Sequence, residues 1–325
     1  MAIDGEPAAN ADQIAYWNAQ AGETWVGQQD RLDRQLDPLG LTAMATLDLA
    51  ADERVIDIGC GCGQTSLELA SEVGPDGTVL GVDISAPMLE VARRRAAQAD
   101  LPNVQFLEAD GQIHVFKPGG ADALFSRFGV MFFADPAAAF TNLRKALRPG
   151  GRLAFVCWRP MRENQWMLLP MMAALQHVPA APPPADPFAP GPFAFADPDR
   201  VRGILTAAGF SNVRIEAHDT RIGGNGLEEA VELSLRVGPL GMLLREHPDQ
   251  RGPVTQSLRA ALEPHAGPSG VYLSAAVWLV CSARVPPFLL VKVFSPMNVP
   301  SVPLSAAPMF LSALHPCSAP SLGFP

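Results

Sequence analysis

Between about residues 54 and 158, short apolar runs alternate with longer stretches in which apolar positions recur at helical spacing. Runs of five or six apolar-rich residues bounded by turn signals read as strands, and 3.6-residue periodicity reads as helix. The pattern predicts strands near 54–58, 79–83, 104–108, 121–126 and 152–157, with helices near 64–73, 86–98 and 136–147. Such alternation implies a doubly wound, mostly parallel sheet, whose ligand lies at the carboxyl ends of the strands. Before this region, residues 11–50 read as mostly helical, with a break near Pro38-Leu39-Gly40.

After Trp158 the rhythm changes. Residues 159–177 read as largely helical, with an apolar face around Trp166 and a kink at Pro170. The proline-rich stretch from Val178 to Pro192 can be neither helix nor inner strand. Asp197 followed by Pro198 marks a helix start, because the side chain can cap and proline needs no N–H in the first turn. A sixth strand is predicted over 212–217, helix over 227–263 and a seventh strand over 271–281. Five segments follow: a helical cover (1–50), a core (51–158), an insertion (159–210), the rest of the core with a helical part (211–284) and a tail (285–325). The tail holds nine prolines and one charged side chain, Lys292, and reads as a poorly ordered extension.

The chemistry concentrates in Val55-Ile56-Asp57-Ile58-Gly59-Cys60-Gly61-Cys62-Gly63. An apolar strand carries an acid near its end, then glycines at alternate positions, then a helix. Glycine lets the backbone turn sharply and come close to a ligand, and the helix N–H groups can face polar ligand atoms. Val79-Leu80-Gly81-Val82-Asp83 is a second strand ending in an acid, which can accept hydrogen bonds from ribose hydroxyls. Together they describe a nucleoside-binding βαβ unit. A dinucleotide turn would be written G-x-G-x-x-G, but this one is G-x-G-x-G, with Gln64-Thr65-Ser66 where the third glycine would fall. Asp57 would also repel a pyrophosphate, and it suits the ammonium group of a methionine moiety.

These residues resemble the class I S-adenosylmethionine-dependent methyltransferases, most closely the small-molecule branch related to the ubiquinone/menaquinone biosynthesis methyltransferases. The likeness continues in order through Val104 to Gly111, Ala121 to Phe128 and Leu147 to Val156, and covers roughly residues 50–158. The resemblance implies a Rossmann-like, seven-stranded sheet with N-terminal helices over the cofactor mouth and the 159–210 insertion as a helical lid over the acceptor. It implies S-adenosyl-L-methionine as cofactor. The family's positions fall on Asp57, Gly59, Gly61 and Gly63 for the methionine part, Asp83 for the ribose with Ile84 against the adenine, Asp110 and Gly111 for the adenine edge, and Ser126 beside the methyl-donor end. Two other readings stay open: a nicotinamide-dependent oxidoreductase on a similar fold, and a catalytically silent regulatory subunit.

Composition narrows the partners. The chain has 325 residues, a net charge of −9 and 48% hydrophobic residues. Sequence-independent nucleic-acid binding needs clustered Lys and Arg, so the charge argues against it. Five cysteines at scattered spacing do not form a disulfide framework, and Cys60-Gly61-Cys62 lacks a second ligand pair, so no metal is expected. Reduced thiols and the absence of a signal peptide fit a cytoplasmic enzyme. The charge-free stretches are broken by prolines or have only strand-sized apolar cores, so no membrane span is expected. The expected partner is a small-molecule acceptor, with a homodimer left open.

No catalytic residue is legible. A sulfonium is already a good leaving group, so alignment and desolvation matter more than acid–base power. Candidates are Arg127, which could bind an acidic acceptor or pair with Asp135; His177, at the end of the lid helix; and His114, just past Asp110. Their plainer readings are an ion pair and two solvated histidines. Tyr16, Trp17 and Trp25 could touch ligand or simply pack helices. Glu163, Asn164 and Trp166 could line the pocket, and Phe128, Met131, Phe132 and Phe133 could form its apolar floor.

Overall fold

The computed structural model describes residues 10–179 and 186–284. The proposed poorly ordered tail, 285–325, lies outside them. In chain order the elements are α1 (Ala11–Asn18), α2 (Gln20–Gly27), α3 (Gln29–Ala45), β1 (Arg54–Ile58), α4 (Gln64–Val73), β2 (Thr78–Asp83), α5 (Ala86–Gln98), β3 (Val104–Glu108), β4 (Ala121–Arg127), α6 (Pro136–Ala146), β5 (Leu147–Trp158), α7 (Gln165–Ala174), α8 (Pro198–Ala207), β6 (Phe210–Asn225), α9 (Leu227–Ser234), α10 (Gly238–Glu246), α11 (Arg251–Leu262), β7 (Ala266–Gly267) and β8 (Gly270–Arg284).

One sheet runs in the order β3-β2-β1-β4-β5-β8-β6, and the two-residue β7 pairs with β8. β1 to β5 are mutually parallel, while β8 lies antiparallel between β5 and β6. The predicted doubly wound α/β architecture is therefore present, with seven long strands. Successive strands go to opposite sides of β1, so the chain's direction of progress reverses between β1 and β4. A crevice opens at such a switch point, outside the carboxyl ends of the strands.

The central strands are buried because helices cover both faces, which requires apolar side chains at successive positions. Every residue of β4 but Arg127 is buried, and Phe125, Phe140, Phe155 and Phe195 are wholly enclosed. Burying a side chain of this kind stabilises the fold by about 1.5–3 kcal/mol. At the opposite end of the sheet from the crevice, Arg54 and Arg148 both bond to Asp122. Burial pushes the Asp122 carboxyl up, but these bonds outweigh it and hold the group well below its usual range.

Three expectations change. The break near Pro38 does not form, because α3 runs unbroken from Gln29 to Ala45. A proline inside a helix costs about 3 kcal/mol. Burial of Leu32, Leu36, Leu39, Ala43 and Met44 along one face offsets it. The sixth strand is far longer than 212–217, because β6 pairs with β8 along nearly its whole length, past the edge of β5. That two-stranded extension carries a second insertion, α9 to α11, so cover over the crevice does not come only from residues 159–210. Finally, α8 packs on α6 and β6 as part of the core, although it falls inside the segment expected to be lid.

The cover has its own small core. Ala173, Ala174 and Val178 at the end of α7 meet Val231, Leu243, Leu258 and Leu273 in a cluster separate from the main one. Thus α7 and α9 to α11 form one helical cap on the end of the β6–β8 ribbon.

Candidate active site

A cleft of about 210 Å³ opens at the switch point. A water needs only about 10–15 Å³, so this space suits an organic ligand. Its floor comes from the turns after β1, β2, β3 and β4. Its walls are α2 and α3 on one side and the start of α7 on the other, with the α9–α10 turn across the top.

The glycine turn follows directly from the residue types. Gly59 has φ +69° and a Cβ there would stand 2.7 Å from Gly129 Cα, so only glycine lets the loops after β1 and β4 meet. At Gly61 a Cβ would come 2.8 Å from Met88 Cε, inside the cleft wall. The Gly61 N–H instead donates to Asp83 Oδ2 at 2.7 Å.

Asp57 is fully buried beneath this turn. Thr65 and Ser66 both donate to its Oδ2, each at 2.7 Å, and its Oδ1 has no hydrogen-bond partner. Burial pushes its carboxyl up to about 6, against the two hydroxyl bonds. Asp83 accepts Gly61 N–H on one oxygen and Ser85 N–H on the other, the latter at 2.9 Å. Burial raises it too, opposed by those backbone bonds. Each Asp83 oxygen keeps a lone pair for a further donor. Asp110 lines the cleft but is engaged: Asn10 donates to both its oxygens at 2.8 and 2.9 Å, and Gln112 N–H to one. Asn10, a hundred positions away, carries no signal in the sequence.

The predicted residues separate into two groups. Gly59, Gly61, Asp83, Ile84, Asp110, Gly111 and Arg127 line the cleft. Asp57, Gly63 and Ser126 sit behind the lining, and Ser126 Oγ accepts Gly129 and Val130 N–H at 3.2 and 3.3 Å. Tyr16, Trp17 and Trp25 line it and also pack on one another edge to face.

Among the catalytic candidates, Arg127 reaches neither a free position nor Asp135. Its Nη1 donates to Gln64 Oε1 at 2.7 Å and Asp37 Oδ1 at 3.2 Å, and its Nη2 lies 3.6 Å from Asp33. A side chain at Gly40 would strike Arg127 Cδ at 2.9 Å, so that glycine admits the guanidinium against α3. Asp135 instead caps α6 through Ala138 N–H. His177 is exposed and bonds Ser257 Oγ at 2.7 Å, and His114 packs edge to face on Phe116; neither lines the cleft. Glu163 pairs with Arg159, and Asn164 is buried against β8 through Ala276.

The other end of the cleft is apolar. Phe128 stacks on Trp158 with centroids 4.1 Å apart and planes 6° apart, and Trp166 tilts against Trp158 at 4.9 Å. Phe128 holds φ +60°, an outlier for a bulky residue, and its N–H bonds Val156 O at 3.1 Å. Val237, Gly238, Pro239 and Met242 add the upper wall. No motif or spacing marks these four residues, and only the fold brings them here. Among the described residues no group of three His, Cys, Asp or Glu side chains comes together as a metal ligand set.

A mostly parallel sheet with a glycine turn after β1 and acids at the ends of β1 and β2 defines a Rossmann-like nucleoside-binding protein. A family model for a methyltransferase domain matches residues 49–180. Nocamycin O-methyltransferase of Saccharothrix syringae is 30% identical over 219 residues, 65% of this chain and 78% of that protein. Demethylmenaquinone methyltransferase of Lactiplantibacillus plantarum is 33% identical over 129 residues, 39% of this chain and 54% of the relative, so the match spans about half of that protein. Haemonchus contortus phosphoethanolamine N-methyltransferase 2, solved with S-adenosyl-L-methionine, shares the fold at a TM-score of 0.53 and 16% identity, over 86% of this chain and 61% of that one. The chain belongs to the S-adenosylmethionine-dependent methyltransferases, and the oxidoreductase reading falls away. The site fits that cofactor: the turn leaves no room for a Cβ, and Asp57 keeps a buried oxygen without a partner.

Proposed function

We propose that this protein transfers the methyl group of S-adenosylmethionine to an apolar, aromatic small molecule whose reacting atom supplies its own acidity. The bound cofactor supplies an electrophilic methyl on a sulfonium. In this reading Gly59, Gly61 and Gly63 shape the turn along the methionine part, and Asp57 organises its ammonium end. Asp83 takes the ribose hydroxyls, Ile84 lies against the adenine, and Asp110 and Gly111 hold the adenine edge once Asn10 gives way. Ser126 braces the loop beside the methyl. Residues 51–158 thus serve the cofactor, while α7 and α9 to α11 enclose the acceptor.

The observation that carries the acceptor class is the makeup of the lining. The far end of the cleft holds Phe128, Trp158, Trp166 and Met242, and no histidine or lysine lines the cleft among the described residues. Asp33 also lines it, but Arg95, Gln29 and Arg127 already engage its carboxylate. Without a free base, a phenol, enol or similar acid must arrive ionised or lose its proton to water. The enzyme's part is then alignment and exclusion of water. The acidic net charge of −9 supports a reading without nucleic acid. The four free cysteines among the described residues support a reducing, cytoplasmic setting, and no helix among those residues is long and apolar enough to cross a membrane.

Calorimetric titration with S-adenosylmethionine tests the cofactor half. The acceptor half is tested by the pH dependence of kcat across substituted phenols of different acidity. The inflection should follow the acidity of each phenol. An inflection that stays in place for every acceptor would show a base on the enzyme and sink this reading.

A further inference from the structure

Behind the apolar end of the cleft lies a second, smaller chamber of about 40 Å³. Five residues face both spaces: Leu32, Trp166, Met167, Val237 and Pro239. The two spaces are therefore adjacent and bordered by the same side chains. The chamber's remaining walls are mostly apolar, with Ala230, Leu240 and Leu273 among them; Gln35, Asn225 and Ser234 are its polar residues, and no charged side chain takes part. Two of its polar residues are already engaged: Asn225 bonds Arg34, and Ser234 bonds Ala230 O. A predominantly apolar lining of this kind favours hydrocarbon over water. Its dividing wall includes a glycine with open space beside it. Val237 and Pro239 flank Gly238, which has φ +74° and nothing within 4 Å of where a Cβ would be. Trp166 on the same wall has a buried indole N–H with no partner.

We infer that this chamber is a subsite for a short alkyl substituent on the ring of the acceptor, with Trp166 and the Val237–Pro239 turn as the divider between ring and chain. The inference rests on the proposed acceptor reading only in taking the main cleft as the ring site. It concerns specificity rather than the chemical step. An alkyl chain entering past Trp166 would fill the chamber and exchange an empty apolar surface for contact.

The test uses the full chain saturated with S-adenosylhomocysteine and a probe series of phenol, 4-ethylphenol, 4-propylphenol and 4-pentylphenol, with Kd read by calorimetry. Affinity should rise by about fourfold per methylene over the first carbons, as expected for burial of CH₂ groups, and then level off. Two substitutions push in opposite directions. Ala230→Leu narrows the chamber and should move the levelling-off to a shorter chain, relative to phenol itself. Leu273→Ala widens it and should let the gain continue to longer chains. Because one shrinks and one enlarges the space, a folding defect in either leaves the other informative. Equal increments in both variants and the native chain, or no dependence on chain length at all, would overturn the inference. If the cofactor and its product do not bind but the chain-length steps appear and respond to both variants, the subsite stands and the proposed reaction falls.

Discussion

At the floor of the cleft, Asp57 takes its two hydrogen bonds from Thr65 and Ser66, and Asp83 takes its pair from Gly61 and Ser85. Three of these four donors lie within nine positions of the acid they serve. At the roof, Trp166 of α7 lines the same cleft as Val237 before α10 and Pro239 and Met242 within it, about seventy positions later. Around these two acids the floor is largely a local construction, held by backbone geometry and short polar contacts. The roof is assembled from distant segments by apolar packing, with its own core and a polar group, the Trp166 N–H, left without a partner. Local polar constructions tolerate few residue types, whereas apolar packing accepts many combinations of similar volume. The floor should therefore answer to the cofactor and the roof to the acceptor.

The largest effect is expected at Asp83. Asp83→Ala removes the proposed ribose acceptor and also releases Gly61 and Ser85 N–H, so S-adenosylmethionine affinity should fall by about 100-fold, or near 3 kcal/mol. Asp83→Asn retains the shape and should lose less. Affinity within twofold of native in the alanine variant, measured by calorimetry, would overturn the proposed ribose role of Asp83.

Asp57→Asn should weaken the cofactor by about tenfold or more. The sign on stability is the reverse. The folded carboxyl is raised to about 6 from an ordinary 3.8, so its contribution to stability is full below the ordinary value and is lost as pH rises through about 6. At pH 8 the native chain bears the cost of a buried charge, and the asparagine variant should melt no lower than native. Cofactor affinity of the native chain should decline as pH drops through about 6, because the ammonium group needs the carboxylate. That of the variant should stay flat over the same range. A parallel decline in both would point to another group.

The smallest effect is expected at the roof. Trp166→Phe removes a buried donor that has no partner, which costs about 1–3 kcal/mol in the native chain, against some loss of ring contact. The melting temperature should hold or rise slightly, and cofactor affinity should stay within about twofold. Acceptor KM should shift several-fold. A large change in cofactor affinity would mean that floor and roof act as one unit.

Much of the floor is legible in the order of residues alone. The predicted strand at 54–58 and helix at 64–73 match β1 and α4 to the residue, and Gly59, Gly61, Asp83, Ile84, Asp110 and Gly111 line one cleft. Other parts are not legible. Asn10 on Asp110 and Arg127 among Gln64, Asp37 and Asp33 are contacts across 63 to 100 positions, and no spacing encodes them. Pro38 reads as a breaker because local preference says so, and the buried face of α3 overrides it.

The cofactor half is written in the chain itself: strands with their terminal acids, and glycines where φ is positive or no side chain fits. Those requirements act over a few residues, through backbone conformation and short hydrogen bonds, so they leave a pattern. The proposed acceptor half exists only once the chain is folded. The β6–β8 ribbon runs past the sheet and carries α9 to α11 over the cleft, where Val237 and Met242 face Trp166 and Phe128. Apolar side chains that meet across such distances are selected for volume and burial alone, and in sequence they look like any other core.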